Sequence, residues 1–180
     1  MPGIKLIIPI FFLFLSFSLT STAQTYYIVR HAEKAINDSA TMTSTDPPLS
    51  AEGSKRATDL RNYLKKKGIT HIYSTNTIRA RSTAEPLSKA NHLPIETYGP
   101  RPDSVFIRQL KALNGNILVI GHSNTVDDIV NGLCGKALLN DLPDAAYDNI
   151  FIVTNHNGQY DLKQEKFGNK TPVRESKKRD

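Results

Sequence analysis

The sequence predicts a single α/β domain, with a mostly parallel central sheet flanked by helices and a C-terminal hairpin. Short apolar segments alternate with amphipathic stretches along most of the chain, which is typical of this class. The 180 residues contain no internal repeat and no interdomain linker. That length suits one domain large enough to bury its own core.

The elements follow from the apolar periodicity and from helix start and stop signals. We predict strands at 26–29, 69–74, 93–97 and 116–120, helices at 51–67, 76–90, 104–113 and 125–133, and a closing hairpin of 150–153 and 160–163. Ser50 is the expected N-cap of the first helix and Gly68 its stop. Pro86 is expected to interrupt the second helix, since proline removes a backbone donor.

The two ends of the chain are expected to lie outside the domain, which we assign to residues 24–167. Residues 1–23 combine Lys5, a ten-residue apolar run and the small residues Ser21 and Ala23, a pattern typical of a secretory signal peptide. The alternative is an uncleaved anchor, but a spanning helix needs roughly 20 apolar residues. Cleavage before Gln24 would deliver the protein to the periplasm or the extracellular space, without stable membrane insertion.

Composition excludes several classes of function. Residues 168–180 hold five basic and two acidic residues, so a solvated basic tail carries much of the net charge of +6. Basic and aromatic residues do not interleave, so we expect no nucleic-acid partner. The single cysteine, Cys134, excludes internal disulfides and cysteine-cluster metal sites.

Four cationic or titratable side chains follow predicted strands. Arg30 and His31 come after the first strand, Arg79 opens the helix after the second, and His122 follows the fourth. Reactive groups in such sheets gather where strands end. Arginine forks and helix N-termini suit a phosphate dianion, and a neutral imidazole can attack phosphorus to form a phosphohistidine.

Other ligand chemistries receive less support. His71, His92 and His156 are interpreted as structural or incidental. A metal at His31 and His122 is disfavoured because no His-x-x-x-His or Glu-x-x-His helix spacing occurs. A Walker-type phosphate loop is absent from the sequence. We therefore expect no cofactor and no metal.

Four blocks of the sequence resemble the histidine phosphatase superfamily, also called phosphoglycerate-mutase-like. Arg30–Glu33 (RHAE) is similar to its Arg-His-Gly signature, and Leu49–Gly53 to the Leu-Thr-x-x-Gly run that opens its first long helix. Tyr73–Glu85 resembles the block in which Arg-Ala precedes Thr-Ala, and Gly121–Ser123 the block with the second histidine. The blocks occur in the family's order with compatible spacing.

The resemblance implies a phosphoglycerate-mutase-like fold, with His31 as the phosphorylated nucleophile. Arg30, Arg79 and His122 would complete the phosphate pocket, and Ser123 and Asn124 are further candidates for substrate binding. Two departures are notable: Ala32 replaces the usual glycine, and Ser123 stands where the phytase-like branch has its proton-donating Asp. The chain lacks the long insertions of mutases and is most similar to the short SixA-like branch.

The proton donor to the leaving group stays open between three alternatives. Family members place this acid between the second arginine and the second histidine, where Glu85, Glu96 and Asp103 lie. Asp103 precedes a predicted helix, in the loop expected to cover the pocket. Glu33, beside the nucleophile, is a second candidate, and short members can also work without a dedicated acid.

The favoured function is that of an exported, metal-independent phosphomonoester hydrolase acting on a small-molecule or envelope phosphomonoester. Three alternatives stay open: a mutase, a protein phosphohistidine phosphatase, and a non-catalytic module that binds phosphorylated or sulfated glycans. A mutase would need a closed site that keeps water away. Residues 36–48 and 98–104 are the loops expected to set specificity.

Overall fold

The computed structural model describes residues 24–35 and 45–171. Six strands and four helices follow one another in the order β1 (Gln24–Arg30), α1 (Ala51–Leu64), β2 (Ile69–Thr75), α2 (Ile78–Asn91), β3 (Ile95–Tyr98), α3 (Ser104–Ala112), β4 (Asn116–Gly121), α4 (Val126–Cys134), β5 (Asn149–His156) and β6 (Gln159–Lys166). Within these described residues, no helix has the length and apolar character needed to cross a membrane.

The strands form one sheet in the order β3-β2-β4-β1-β5-β6. The first four of these are parallel to one another, with Arg30 opposite Gly121 and Ser74 opposite Ile120. β5 pairs antiparallel with β1, and β6 pairs antiparallel with β5. The predicted α/β class with a mostly parallel sheet and a C-terminal hairpin is confirmed.

Helices cover both faces of the sheet, because successive side chains along its strands point to opposite faces and are apolar on both. Tyr26 and Ile28 of β1 pack with α3 and α4 on one face. Tyr27 and Val29 pack with α1 and α2 on the other. The central strands are therefore buried on both faces. This packing holds their carboxyl ends in fixed positions relative to one another.

The helices differ from the sequence expectations in two places. The helix α2 is continuous from Ile78 to Asn91 with Pro86 inside it, so the expected interruption was wrong. Proline costs the helix one backbone hydrogen bond, while Thr83, Ala84 and Leu87 bury the same helix against the core. α1 ends at Leu64, one turn earlier than predicted, although Ser50 caps it as expected by accepting from the Gly53 amide.

The predicted signal peptide lies outside the described residues, as do residues 36–44 of the predicted specificity loop and 172–180 of the predicted tail. The described start of that tail contacts the domain. Asn169 accepts a hydrogen bond from Arg56 through its carbonyl oxygen, and the Thr171 amide donates to Asp148.

Candidate active site

The carboxyl ends of β1 and β4 bring the two predicted histidines together. Because these strands are parallel neighbours, the His31 amide donates to the Gly121 carbonyl over 2.9 Å. The imidazole rings of His31 and His122 meet edge to face, with their centroids 5.2 Å apart. Two predicted site residues separated by most of the chain are thus adjacent.

His31 is held as a neutral imidazole with one unprotonated ring nitrogen. Its Nδ1 lies 2.8 Å from the Ala32 carbonyl oxygen, and since a carbonyl can only accept, Nδ1 carries the proton. Nε2 therefore keeps its lone pair. Burial, assisted by the positive charge of Arg30 and by His122 and Arg79, lowers the pKa of His31 to about 3 despite the opposing hydrogen bond to Ala32. Only 4% of the residue is exposed, which is less than an open pocket would give.

His122 is oriented by a buried hydroxyl group that the sequence analysis missed. Its Nε2 lies 2.8 Å from Oγ1 of Thr75, the last residue of β2, and its amide donates to Thr125. Burial and the nearby cations of Arg79 and Arg30 lower the pKa of His122 to about 4, so this ring is also neutral at neutral pH. When Thr75 donates to Nε2, the ring proton lies on Nδ1, where it can serve a phosphoryl oxygen.

Arg30 is anchored by the loop before β5. Its Nη1 donates to the carbonyl oxygens of Pro143 and Asp144, and its Nη2 donates to the Tyr147 hydroxyl. The guanidinium also lies 4.1 Å from the centre of the Tyr147 ring. Its Nε is buried and has no hydrogen-bond partner among the described residues. These neutral acceptors fix the guanidinium without cancelling its charge.

Arg79 contacts both the nucleophile and a carboxylate. Its Nε donates to Nε2 of His31 over 3.3 Å, and its Nη1 pairs with Oδ1 of Asp46 over 2.9 Å. The other oxygen of Asp46 accepts from the Ile78 amide, the first residue of α2. Asp46 lies in the loop that was expected to set specificity, and sequence reasoning did not single it out.

The segment that carries the nucleophile is braced on two sides. The Ala32 amide donates to Thr83, whose hydroxyl in turn donates to the Arg79 carbonyl. The Ser50 amide donates to the Glu33 carbonyl, and a Cβ at Gly53 would overlap that same carbonyl oxygen. These contacts give a physical reason for the Thr-Ala and Leu-Ser-x-x-Gly blocks, because both support the backbone beside His31.

The remaining candidates lie elsewhere or at the rim. Both carboxylate oxygens of Glu33 bind Arg56, a buried arginine of α1, at 2.7–2.9 Å. Asp103 accepts from the Phe106 amide as the N-cap of α3. Ser123, half-buried, and Asn124, exposed, directly follow His122. Glu85 pairs with Lys89, and Glu96 accepts from the Tyr73 hydroxyl.

The other histidines contact groups remote from these residues. His71 lies 3.8 Å from Glu96, His156 lies 3.9 Å from Asp161, and His92 ends α2 with left-handed backbone. In the part of the chain that the structure describes, no group of three or more His, Cys, Asp or Glu side chains could hold a metal ion. The expectation of a metal-free reaction stays a prediction.

Comparison of the sequence with known proteins finds one family model that matches part of the chain. Residues 26–99 match the model of the histidine phosphatase superfamily, branch 1. A relative in Escherichia coli (strain K12 / DH10B), assigned as the phosphoglycerate mutase GpmB, is 31% identical over 103 residues. That alignment covers 57% of this chain and 44% of the relative, so the chain spans less than half of the relative's length.

Solved structures show the same fold at low sequence identity. A mycobacterial glucosyl-3-phosphoglycerate phosphatase superposes with a TM-score of 0.62 at 14% identity, over 78% of this chain and 97% of the other. A protein of Agrobacterium tumefaciens assigned as the phosphohistidine phosphatase SixA gives a TM-score of 0.55 at 17% identity, over 81% and 97%. The phosphoglycerate-mutase-like fold is confirmed.

The fold and the paired histidines define an α/β domain of the phosphoglycerate-mutase-like class. The match of residues 26–99 to the histidine phosphatase superfamily model agrees with the resemblance of the four sequence blocks to that family.

Proposed function

We propose that the protein is an exported, metal-independent phosphomonoester hydrolase that works through a phosphohistidine intermediate on His31. The observation that carries this proposal is the unprotonated Nε2 of a neutral, buried His31, which accepts a hydrogen bond from Arg79 and has Arg30 and His122 nearby. A neutral imidazole is the reactive form, because a protonated ring has no lone pair to offer phosphorus.

The first half-reaction moves the phosphoryl group to His31. Nε2 attacks phosphorus, the bond from phosphorus to the ester oxygen breaks, and the leaving alcohol takes a proton as it departs. Arg30 and Arg79 balance the charge on the equatorial oxygens, and His122 donates a hydrogen bond from Nδ1. In the second half-reaction water attacks the phosphohistidine, which releases inorganic phosphate and restores the neutral ring.

The mechanism is tested by trapping the intermediate. The enzyme is mixed with a ³²P-labelled phosphomonoester and quenched, and the label is mapped by mass spectrometry. We expect acid-labile, base-stable phosphate on His31. Label on Ser123, or turnover with no label at any histidine, would contradict the covalent route.

Metal independence follows from the charge that the protein already supplies. Two guanidinium groups stand where a metal would otherwise stabilise the transferring group. Activity of the protein as purified should therefore survive excess EDTA. Loss of activity in EDTA that zinc or magnesium restores would contradict the proposal and require the histidines to be reinterpreted as ligands.

A second candidate is a protein phosphohistidine phosphatase, which the fold similarity to SixA supports. A panel of sugar phosphates, phosphorylated envelope components and a phosphohistidine peptide separates the two by kcat/KM. We expect the phosphomonoesters to be preferred. A mutase would instead return an isomeric phosphate ester, and a non-catalytic glycan-binding module would bind phosphorylated or sulfated glycans without turnover.

Export is proposed from residues 1–23 and is tested on protein from its native host. N-terminal sequencing should find Gln24 first. An intact Met1 on a membrane-bound form would contradict cleavage.

A further inference from the structure

We propose that Asp46 is the proton donor to the leaving group, and that the bound phosphate itself displaces this carboxylate from Arg79. The inference rests on the proposed phosphohistidine mechanism and names the group that gives the leaving alcohol its proton. Asp46 lies in the loop that precedes α1, and a third of its side chain is exposed.

The position of Asp46 is the first reason for this assignment. Its Oδ1 lies 2.9 Å from Nη1 of Arg79, whose Nε contacts the attacking nitrogen of His31. Its negative charge also opposes the lowering of the pKa of His122. Asp46 is thus a carboxylate that interacts with two of the predicted site residues, Arg79 and His122.

The other candidates are committed to structural contacts. Glu33 binds the buried Arg56 through both carboxylate oxygens. The carboxylate of Asp103 accepts a hydrogen bond from the Phe106 amide of its own helix, α3. Asp46 accepts from the Ile78 amide at the start of α2 through Oδ2, and its Oδ1 contacts Arg79.

Binding of a phosphate dianion changes the partner of Arg79. The dianion competes for the same guanidinium donors, and it leaves the Asp46 carboxylate beside a second negative group. In the proposed cycle the displaced carboxyl group takes a proton from solvent and gives it to the leaving group.

The proton balance closes over both half-reactions. As Nε2 of His31 bonds to phosphorus and the ester bond breaks, Asp46 gives its proton to the ester oxygen and becomes a carboxylate. When water attacks the phosphohistidine, the carboxylate takes a proton from that water. The products are the alcohol and inorganic phosphate, and Asp46 is again protonated until phosphate leaves.

The test compares leaving groups in Asp46→Asn and in the matched variant Asp103→Asn. Both carboxylates accept from an amide at the start of a helix, but only Asp46 contacts Arg79. For Asp46→Asn we expect kcat/KM, which reports the first half-reaction, to fall on the order of 10²-fold or more on an alkyl phosphate. On nitrophenyl phosphate we expect kcat/KM to fall by less than about threefold, since nitrophenolate leaves without a proton. For Asp103→Asn we expect neither rate to change by more than about threefold.

Equal losses on both substrates would overturn the proposal, because a residue that only positions Arg79 slows every leaving group alike. The leaving-group effect in Asp103→Asn instead would assign the acid there. If Asp46→Asn lacks the wild-type thermal transition, Asp46→Ser, which also has no carboxyl group, replaces it, and a uniform loss in that folded variant overturns the proposal equally. Wild-type enzyme that gives no label on His31 would contradict the proposed function, whereas normal labelling with an unchanged leaving-group profile in the variant contradicts only the role of Asp46.

Discussion

The two arginines of the site are held in opposite ways. Arg30 is 6% exposed and is fixed by two carbonyl oxygens and a tyrosine, which leave its full positive charge in place. Arg79 is more exposed and is paired with a carboxylate, which cancels its charge until another anion displaces Asp46. The comparison indicates that Arg30 is fixed by neutral groups before substrate binds, whereas in the proposed mechanism Arg79 exchanges Asp46 for the substrate.

His31 follows Arg30 in the chain and contacts Arg79, and its replacement should have the largest effect. We expect His31→Ala to lower kcat on the order of 10⁴- to 10⁶-fold, because the covalent route is lost. In this background, Arg79→Ala should cost almost nothing further, since residues that act as one unit are not additive. Single-turnover assays of both variants measure this. A His31→Ala enzyme with ordinary turnover would remove the basis of the comparison.

The arginines themselves should differ in stability more than in rate. Arg30→Ala and Arg79→Ala should each lower kcat roughly 10²- to 10³-fold. Arg30→Ala should also lower the free energy of unfolding by about 1–3 kcal/mol, because it leaves the Pro143 and Asp144 carbonyls without a donor. Arg79→Ala should cost about 0–1 kcal/mol, as for other partly exposed ion pairs. Urea titrations with equal midpoints would show that the two arginines are not held differently.

Replacement of Thr75 should have a smaller effect, and it tests whether this hydroxyl group orients His122. Thr75→Val removes the hydroxyl partner of Nε2 of His122 and should lower kcat roughly tenfold, whereas Thr75→Ser should restore it. The ¹⁵N shifts of His122 in NMR spectra should report loss of the Nδ1–H tautomer in the valine variant. Unchanged shifts together with a slower enzyme would assign Thr75 a packing role instead.

The histidines should make stability depend on acid pH. Their pKa values fall from 6.5 to about 3 and about 4 on folding, so below pH 6.5 the unfolded chain binds protons that the folded chain does not. The free energy of unfolding should therefore fall as the pH drops from about 6.5 towards 3–4, and these groups should add no slope above 6.5. Urea titrations of wild type and His31→Ala across this range measure it. The variant should show the shallower dependence, and equal slopes would contradict the neutral state of His31.

The strands and helices that show a regular pattern of apolar residues could be predicted from the sequence. The short apolar runs at 26–29 and 116–120 predicted both strands, with the histidines just after their ends. The contacts that tune the site could not, because they join loop residues distant in sequence: Arg30 with residues 143–147, Arg79 with Asp46, and Glu33 with Arg56. Arg56 is buried although the sequence around it indicates no partner, since charge alone does not tell which arginine is paired. Pro86 misled the helix prediction because burial of neighbouring residues outweighed one lost hydrogen bond.

The interior position of β1 affects how the chain can fold. Tyr26 pairs with Ile117 on one side and with Val153 on the other, so the first strand to be synthesised has partners that are synthesised much later. Such distant pairing makes sheet formation slow and leaves an apolar strand exposed meanwhile. Ribosome-bound chains that stop before Asn149 should therefore leave β1 amides open to hydrogen exchange, and the same amides should become protected once β5 is released. Amides that stay open until then would show that the nascent chain lacks its complete sheet until β5 is available, and an incompletely folded polypeptide is one that can be threaded through a narrow pore.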